Sequence, residues 1–187
     1  DVIMEDLLIT QTCGIVADIS PVSDQCLIGN SFNFDGGNST SSAGIINYSW
    51  DYGDLSPFEN GITTNHSYSN SGNYNVTLTV SDGDCTENTT IALNVIQAPT
   101  ADAPVNVTEC NAYILPTLNS GNYYSLSNGG GTSFSNGGYI ATSQTVYVYA
   151  ESGTNPNCTD ENSFTITINN AATGIDTQTA CGSYTWI

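Results

Sequence analysis

The sequence has no lysine and no arginine among 187 residues, against eighteen aspartates and glutamates, for a formal net charge of −18. Gripping DNA or RNA takes basic side chains that displace counterions from phosphates, and docking on anionic lipid takes the same. Both partners are excluded. The missing lysine also rules out lysine–asparagine isopeptide staples and leaves trypsin-like proteases no site, so a covalent staple has to come from cysteine. Long apolar runs are absent too, and no membrane insertion is expected of this segment. Histidine occurs once, at His66, and no two cysteines stand in C-x-x-C spacing, which argues against zinc and for disulfides.

With 39% hydrophobic residues and eleven tyrosines, the chain is too apolar for a disordered acidic tail. Its six cysteines, Cys13, Cys26, Cys85, Cys110, Cys158 and Cys181, place it in an oxidising compartment, outside the cell or on its surface. Thr, Val, Ile and Tyr alternate with polar residues in short runs, and Asn, Gly and Ser clusters punctuate them about every 8–12 residues, the pattern of antiparallel sandwiches. In Tyr74–Val80 the alternation puts Tyr74, Val76, Leu78 and Val80 on one face. Residues 91–96, 145–150 and 164–168 repeat it, and no segment has helical periodicity. The fold class is all-β.

Pro99 and Pro104 frame a short Ala/Thr/Asp stretch that reads as an extended connection between modules. Thr108-Glu109-Cys110-Asn111-Ala112-Tyr113 is echoed by Thr179-Ala180-Cys181-Gly182-Ser183-Tyr184, which implies tandem modules. The expected division is the end of a preceding module or linker at 1–14, a sandwich at 15–96, a linker at 97–107, a small disulfide-stapled sandwich at 108–170, and the start of a further repeat at 171–187. On this reading the chain is a slice of a longer protein, and Cys181 has its partner beyond it.

From Phe32 to Val95 the chain resembles a PKD domain, an immunoglobulin-like sandwich of surface-exposed proteins. The resemblance is carried by Tyr48-Ser49-Trp50-Asp51-Tyr52-Gly53-Asp54, His66-Ser67-Tyr68 and Ser71-Gly72-Asn73-Tyr74 with the strand that follows. Leu55 stands where the family usually has glycine. The resemblance implies tandem immunoglobulin-like β-sandwich modules with Trp50 plugging the core, His66 in a packing and hydrogen-bonding role, and Tyr74 as a corner tyrosine bonding back to backbone. The second module resembles the cysteine-framed repeats of giant adhesins and gliding-motility-associated proteins of Bacteroidetes exported by type IX secretion. Here the residues are Cys110-Asn111-Ala112-Tyr113-Ile114-Leu115-Pro116, Gly121-Asn122-Tyr123-Tyr124, Thr145–Thr154 and Asn157–Thr165.

Six cysteines allow fifteen connectivities, so pairing follows from module logic: Cys26 with Cys85, and Cys110 with Cys158. Each bond would close a long loop worth roughly 4 kcal/mol. Cys13 belongs either to the end of a preceding module or to a bond between chains.

Carboxylates without basic partners are either solvated or bound to cations. Calcium takes six to eight oxygens, and Asp51 with Asp54, or Asp82 with Asp84, lie at strand ends where a loop can wrap an ion. The alternative is that Asp82-Gly83-Asp84 is a hairpin turn. Glycoside hydrolysis needs two carboxylates across a groove, and nothing marks such a pair; no catalytic triad can be built around His66. The chain is read as non-enzymatic. Tyr113, Tyr123, Tyr124, Tyr139, Tyr147 and Tyr149 exceed what one small core needs, which points to an ordinary tyrosine-rich sheet or to lateral contacts. N-x-S/T sequons at Asn38, Asn47, Asn65, Asn75, Asn88, Asn106 and Asn157 are ascribed to composition.

The functional expectation is a structural and adhesive segment of a long extracellular bacterial filament or adhesin, a disulfide-stapled shaft. Its partners would be further copies in a fibre, another cell's surface or a polysaccharide. The alternative is a carbohydrate- or substrate-binding accessory slice of a large secreted hydrolase.

Overall fold

A computed structural model describes residues 14–45 and 47–170. Among them every regular element is a strand. The chain divides into two compact units, Asp1–Ile96 and Gln97–Ile187.

The first unit contains β1 (Ile15–Val16), β2 (Gln25–Cys26), β3 (Phe32–Asp35), β4 (Thr40–Ser41), β5 (Asn47–Asp51), β6 (Glu59–Asn60), β7 (Thr63–His66), β8 (Gly72–Ser81) and β9 (Thr86–Ile96). Its main sheet has the order β2-β9-β8-β5-β6, and the smaller sheets are β3-β7 and β1-β4. The backbone of this unit is the β8–β9 hairpin, paired without a slip from Gly72↔Val95 to Ser81↔Thr86. A strand shows its residues to alternate faces, so Val76, Leu78 and Val80 all turn inward and are fully buried. They meet Phe32, Phe34, Trp50, Tyr52 and Tyr68 in one core. Trp50 satisfies its indole N–H on the Gly61 carbonyl at 2.9 Å, which lets the ring be wholly buried without an orphaned donor.

The second unit contains β10 (Val107–Cys110), β11 (Tyr113–Ile114), β12 (Asn122–Leu126), β13 (Gly130–Phe134), β14 (Tyr139–Ile140), β15 (Gln144–Glu151) and β16 (Thr159–Asn169). Its main sheet has the order β10-β16-β15-β12-β13, with β11-β14 beside it. The β15–β16 hairpin again supplies the long ladder, from Gln144↔Ile166 to Glu151↔Thr159. Val146, Val148, Ala150, Phe164, Ile166 and Ile168 fill the core with Leu115, Tyr123 and Ile140.

Position by position the two main sheets match: a short entering strand, two long hairpin strands, a middle strand and an edge. In both, the entering strand lies parallel to the end of the last strand, Gln25↔Val95 and Cys26↔Ile96 in one, Val107↔Ile166 through Cys110↔Asn169 in the other. Residues 97–107 are not wholly a connector. Ala101 is buried in the second core, its N–H donates to Asp160 at 2.8 Å and its carbonyl accepts from the Asn162 amide at 2.9 Å.

Candidate functional site

His66, at the end of β7, sits in the most elaborate polar cluster of the first unit. Its ring lies flat on Tyr52, centroids 3.9 Å apart and planes 6° from parallel, and meets the edge of Tyr68 at 4.8 Å. Its Nε2 is 2.8 Å from Asp54 Oδ2. The Asp54 Oδ1 atom accepts from the Ser56 hydroxyl and N–H. Partial burial pushes the Asp54 carboxyl up, but the bonds from Ser56 and His66 outweigh it and hold the group below its ordinary range. The Tyr52 hydroxyl shares Thr64 and Glu59, and burial pushes it up to about 12. Tyr68 donates to the Tyr52 carbonyl and stacks on Tyr74 at 3.9 Å; burial raises its hydroxyl as well. Tyr74 donates to the Asn70 carbonyl at 2.9 Å. This is a zipped structural stack: the ring face on Tyr52 and the Nε2 of His66 are both engaged.

The turn before this cluster explains two residues of the Asp51–Leu55 motif. Gly53 has φ 74, and a Cβ there would lie 2.5 Å from the Asn75 carbonyl oxygen, so only glycine fits. Leu55 also takes a left-handed conformation, φ 68, with its side chain fully in solvent. An exposed leucine thus occupies a backbone state that glycine adopts freely.

The four aspartates expected as calcium ligands fall into two separate turns. Asp51 Oδ1 accepts from Gly53 N–H at 2.9 Å, while Asp54 is engaged as above. Asp82 Oδ2 accepts from Ser41 Oγ at 2.6 Å, and Oδ1 accepts from the N–H groups of Asp84 and Cys85 at 3.2 and 2.9 Å. The Ser41 bond, followed by the backbone bonds, holds the Asp82 carboxyl below its ordinary range. Gly83, at φ 99, turns the chain between them, so this is a built hairpin turn. Among the described residues no three His, Cys, Asp or Glu side chains converge as a metal ion would require.

Cys26, Cys85, Cys110 and Cys158 are all disulfide-bonded. The expected pairs within each module need correction. Cys26 stands opposite Ile96, whereas Cys85 immediately precedes Thr86 at the other end of the 11-residue β9. At about 3.3 Å per residue the two lie about 35 Å apart, far beyond the 4.4–6.8 Å a disulfide spans between Cα atoms. The second unit repeats the situation: Cys110 pairs across to Asn169, and Cys158 precedes Thr159 at the start of the 11-residue β16. Neither Cys26–Cys85 nor Cys110–Cys158 is compatible with the strand registers. Cys13 and Cys181 lie outside the described residues.

The tyrosines of the second unit sort by strand parity. Tyr123 is buried and donates to the Pro116 carbonyl, and burial pushes its hydroxyl up to about 12. Tyr124, Tyr147 and Tyr149 are half-buried on the opposite face, with Tyr124 and Tyr149 edge to face at 6.1 Å. Tyr113 packs edge-on toward Phe164, and Tyr139 is 74% exposed. A shallow polar cleft of about 410 Å³ runs along Asn122, Tyr124, Ser133 and Asn136 at the β12–β13 edge.

The strand order and aromatic core define the first unit as an immunoglobulin-like sandwich. Residues 16–96 match the PKD domain family model. Among solved structures, the chain is similar to the PKD1 domain of Vibrio anguillarum Epp, at 27% identity over 44% of this chain and 93% of that one, TM-score 0.38. It is also similar to the PKD1 domain from the Vibrio cholerae metalloprotease PrtV, at 26% identity over 44% and 96%, TM-score 0.38. The fibronectin(III)-like modules of Clostridium thermocellum CbhA align over 82% of this chain and 94% of theirs, at 15% identity and TM-score 0.38. No curated protein sequence gives a significant match. PKD domains and disulfides are typical of extracellular proteins, and PKD and immunoglobulin-like modules are typically non-catalytic. Among the described residues no helix is long and apolar enough to cross a membrane.

Proposed function

We propose that this chain is a tension-bearing, adhesive segment of a long extracellular bacterial surface protein. The observation that carries the reading is the parallel pairing of the entering and last strands in both units. When the two ends of a unit are pulled apart, parallel neighbours slide past one another, so their hydrogen bonds are loaded together rather than peeled one at a time. The second unit extends the clamp beyond the ladder: Asn111 N–H donates to the Asn169 carbonyl, and Asn106 Oδ1 accepts from Thr165 N–H at 2.7 Å. Disulfides at Cys26, Cys85, Cys110 and Cys158 limit unravelling. Adhesion is assigned to the outward tyrosine face of the second unit, which offers apolar area with polar tips at low entropic cost. The net charge of −18 keeps parallel chains apart except where salt or divalent cations screen it. The repeat motifs around Cys110 and Cys158 support placement in a gliding-type or cell-contact adhesin exported by type IX secretion.

Immunogold electron microscopy of the producing cells, with antibody raised against the chain, tests this. Label along thin extracellular filaments is expected. Label confined to soluble secreted material overturns the shaft reading and favours accessory modules of a secreted hydrolase.

A further inference from the structure

Cys85 is disulfide-bonded, and the register of β2 on β9 removes Cys26 from its reach. The entering chain of the first unit supplies a nearer candidate. β1 pairs antiparallel with β4, Ile15 opposite Ser41, and lies against both β8 and β9. One residue upstream, a Cβ on Gly14 would sit 3.2 Å from Ser42 Oγ, so the chain is still following β4 at that point. The next β4 residue back, Ser41, is tied by its hydroxyl to Asp82 at 2.6 Å, and Asp82 in turn accepts the Cys85 N–H at 2.9 Å. Ser81 Oγ fixes the Cys85 carbonyl at 2.9 Å. Ile15 and Cys85 belong to the same buried cluster, and Cys85 is only 8% exposed. The residue that precedes Gly14 is Cys13. One peptide link spans about 3.8 Å between Cα atoms and a disulfide about 4.4–6.8 Å, so a cysteine next to Gly14 needs no long connection to meet a partner at the Asp82–Cys85 turn.

We propose that Cys13 is the disulfide partner of Cys85. The bond is a clasp between the start of the unit and its β8–β9 turn, inside one chain. Its formation takes two electrons and two protons from the thiols, by exchange with the disulfide of an oxidising dithiol protein that leaves as the dithiol.

The test is peptide mapping of the whole oxidised chain. With no lysine or arginine for trypsin, the unreduced, alkylated protein is cut with an aspartate-specific protease, which cleaves at Asp18 and Asp24 between Cys13 and Cys26, together with chymotrypsin, and read by mass spectrometry. A peptide pair joining Cys13 to Cys85 is expected; Cys85 joined to any other cysteine overturns the proposal. A second readout covers incomplete digestion. After unfolding without reductant, Cys13→Ser should expose Cys85 to maleimide while Cys26→Ser leaves it protected, and the reverse result overturns the assignment.

Discussion

Between the sheets of the first unit lie rings: Phe32, Phe34, Trp50, Tyr52 and Tyr68, with His66 and Tyr74 stacked at the margin. Between those of the second lie branched aliphatics, with Tyr123 and Phe164 the only large rings fully inside among the described residues. The strand order is nevertheless the same. The comparison teaches that the ladder of one long hairpin, with a parallel entering strand at its side, is what this architecture requires, and that the filling is free to vary. It also separates two uses of tyrosine. In the first unit Tyr52, Tyr68 and Tyr74 spend their hydroxyls on internal partners, whereas in the second Tyr124, Tyr147 and Tyr149 stand on the outward face.

If filling is free but must be dense, emptying either core should be severe. Trp50→Ala is expected to destabilise the first unit by about 4 kcal/mol, and Phe164→Ala the second by about 3 kcal/mol. Urea titration, with hydrogen exchange read separately in each unit, checks both; a loss under about 1 kcal/mol at Trp50 would break the picture of a ring-built core. Next in size is an alkaline limb shared by the units. Tyr52 and Tyr123 titrate near 12 when folded against 10.0 unfolded, so their contribution is full below about pH 10 and declines as pH rises toward 12. Tyr52→Phe should flatten this decline in the first unit and Tyr123→Phe in the second, followed by melting temperature against pH.

A smaller acid limb belongs to Asp54. Its folded carboxyl titrates below its unfolded value of 3.8, so its contribution is present above that pH and is lost as pH falls through the folded value. Asp54→Asn should remove this part of the acid dependence, and an unchanged slope would show that the bonds from Ser56 and His66 contribute nothing to it. The smallest effect concerns left-handed residues. Leu55→Gly is expected to stabilise the first unit by about 1 kcal/mol, while Asn111→Gly in the second, also at φ 68, gains only a few tenths, because asparagine tolerates that conformation.

Alternation made the hairpin strands legible, because period-two burial at Val76, Leu78 and Val80 is written directly in residue type. The Trp50 block, the His66-Ser67-Tyr68 block and the glycine-position anomaly at Leu55 were legible for the same local reason. The cysteine pairing was not. It depends on which end of β9 receives β2, and a two-residue strand, Gln25–Cys26, carries no periodicity to orient it. The Asp54–His66 contact was hidden likewise: it joins a loop to a strand end twelve residues on, with no pattern linking them. The Ala101 anchor was masked by prolines that read as a connector.

The 11-residue strand β9 runs from the residue after Cys85 to Ile96, the last residue of its unit. With Cys13 clasped to Cys85, a pull on the two ends of the domain follows a covalent shortcut along this single strand, and the β2–β9 pairing of the first unit bears load only once the clasp is open. The 71 residues from Gly14 to Asp84 become slack that cannot pay out. At about 3.5 Å per residue this withholds about 250 Å of contour length until a reductant opens the clasp. Optical-trap records should then show one short step for the oxidised domain and a long one after dithiothreitol, which makes its extensibility a property set by the redox state of the surroundings.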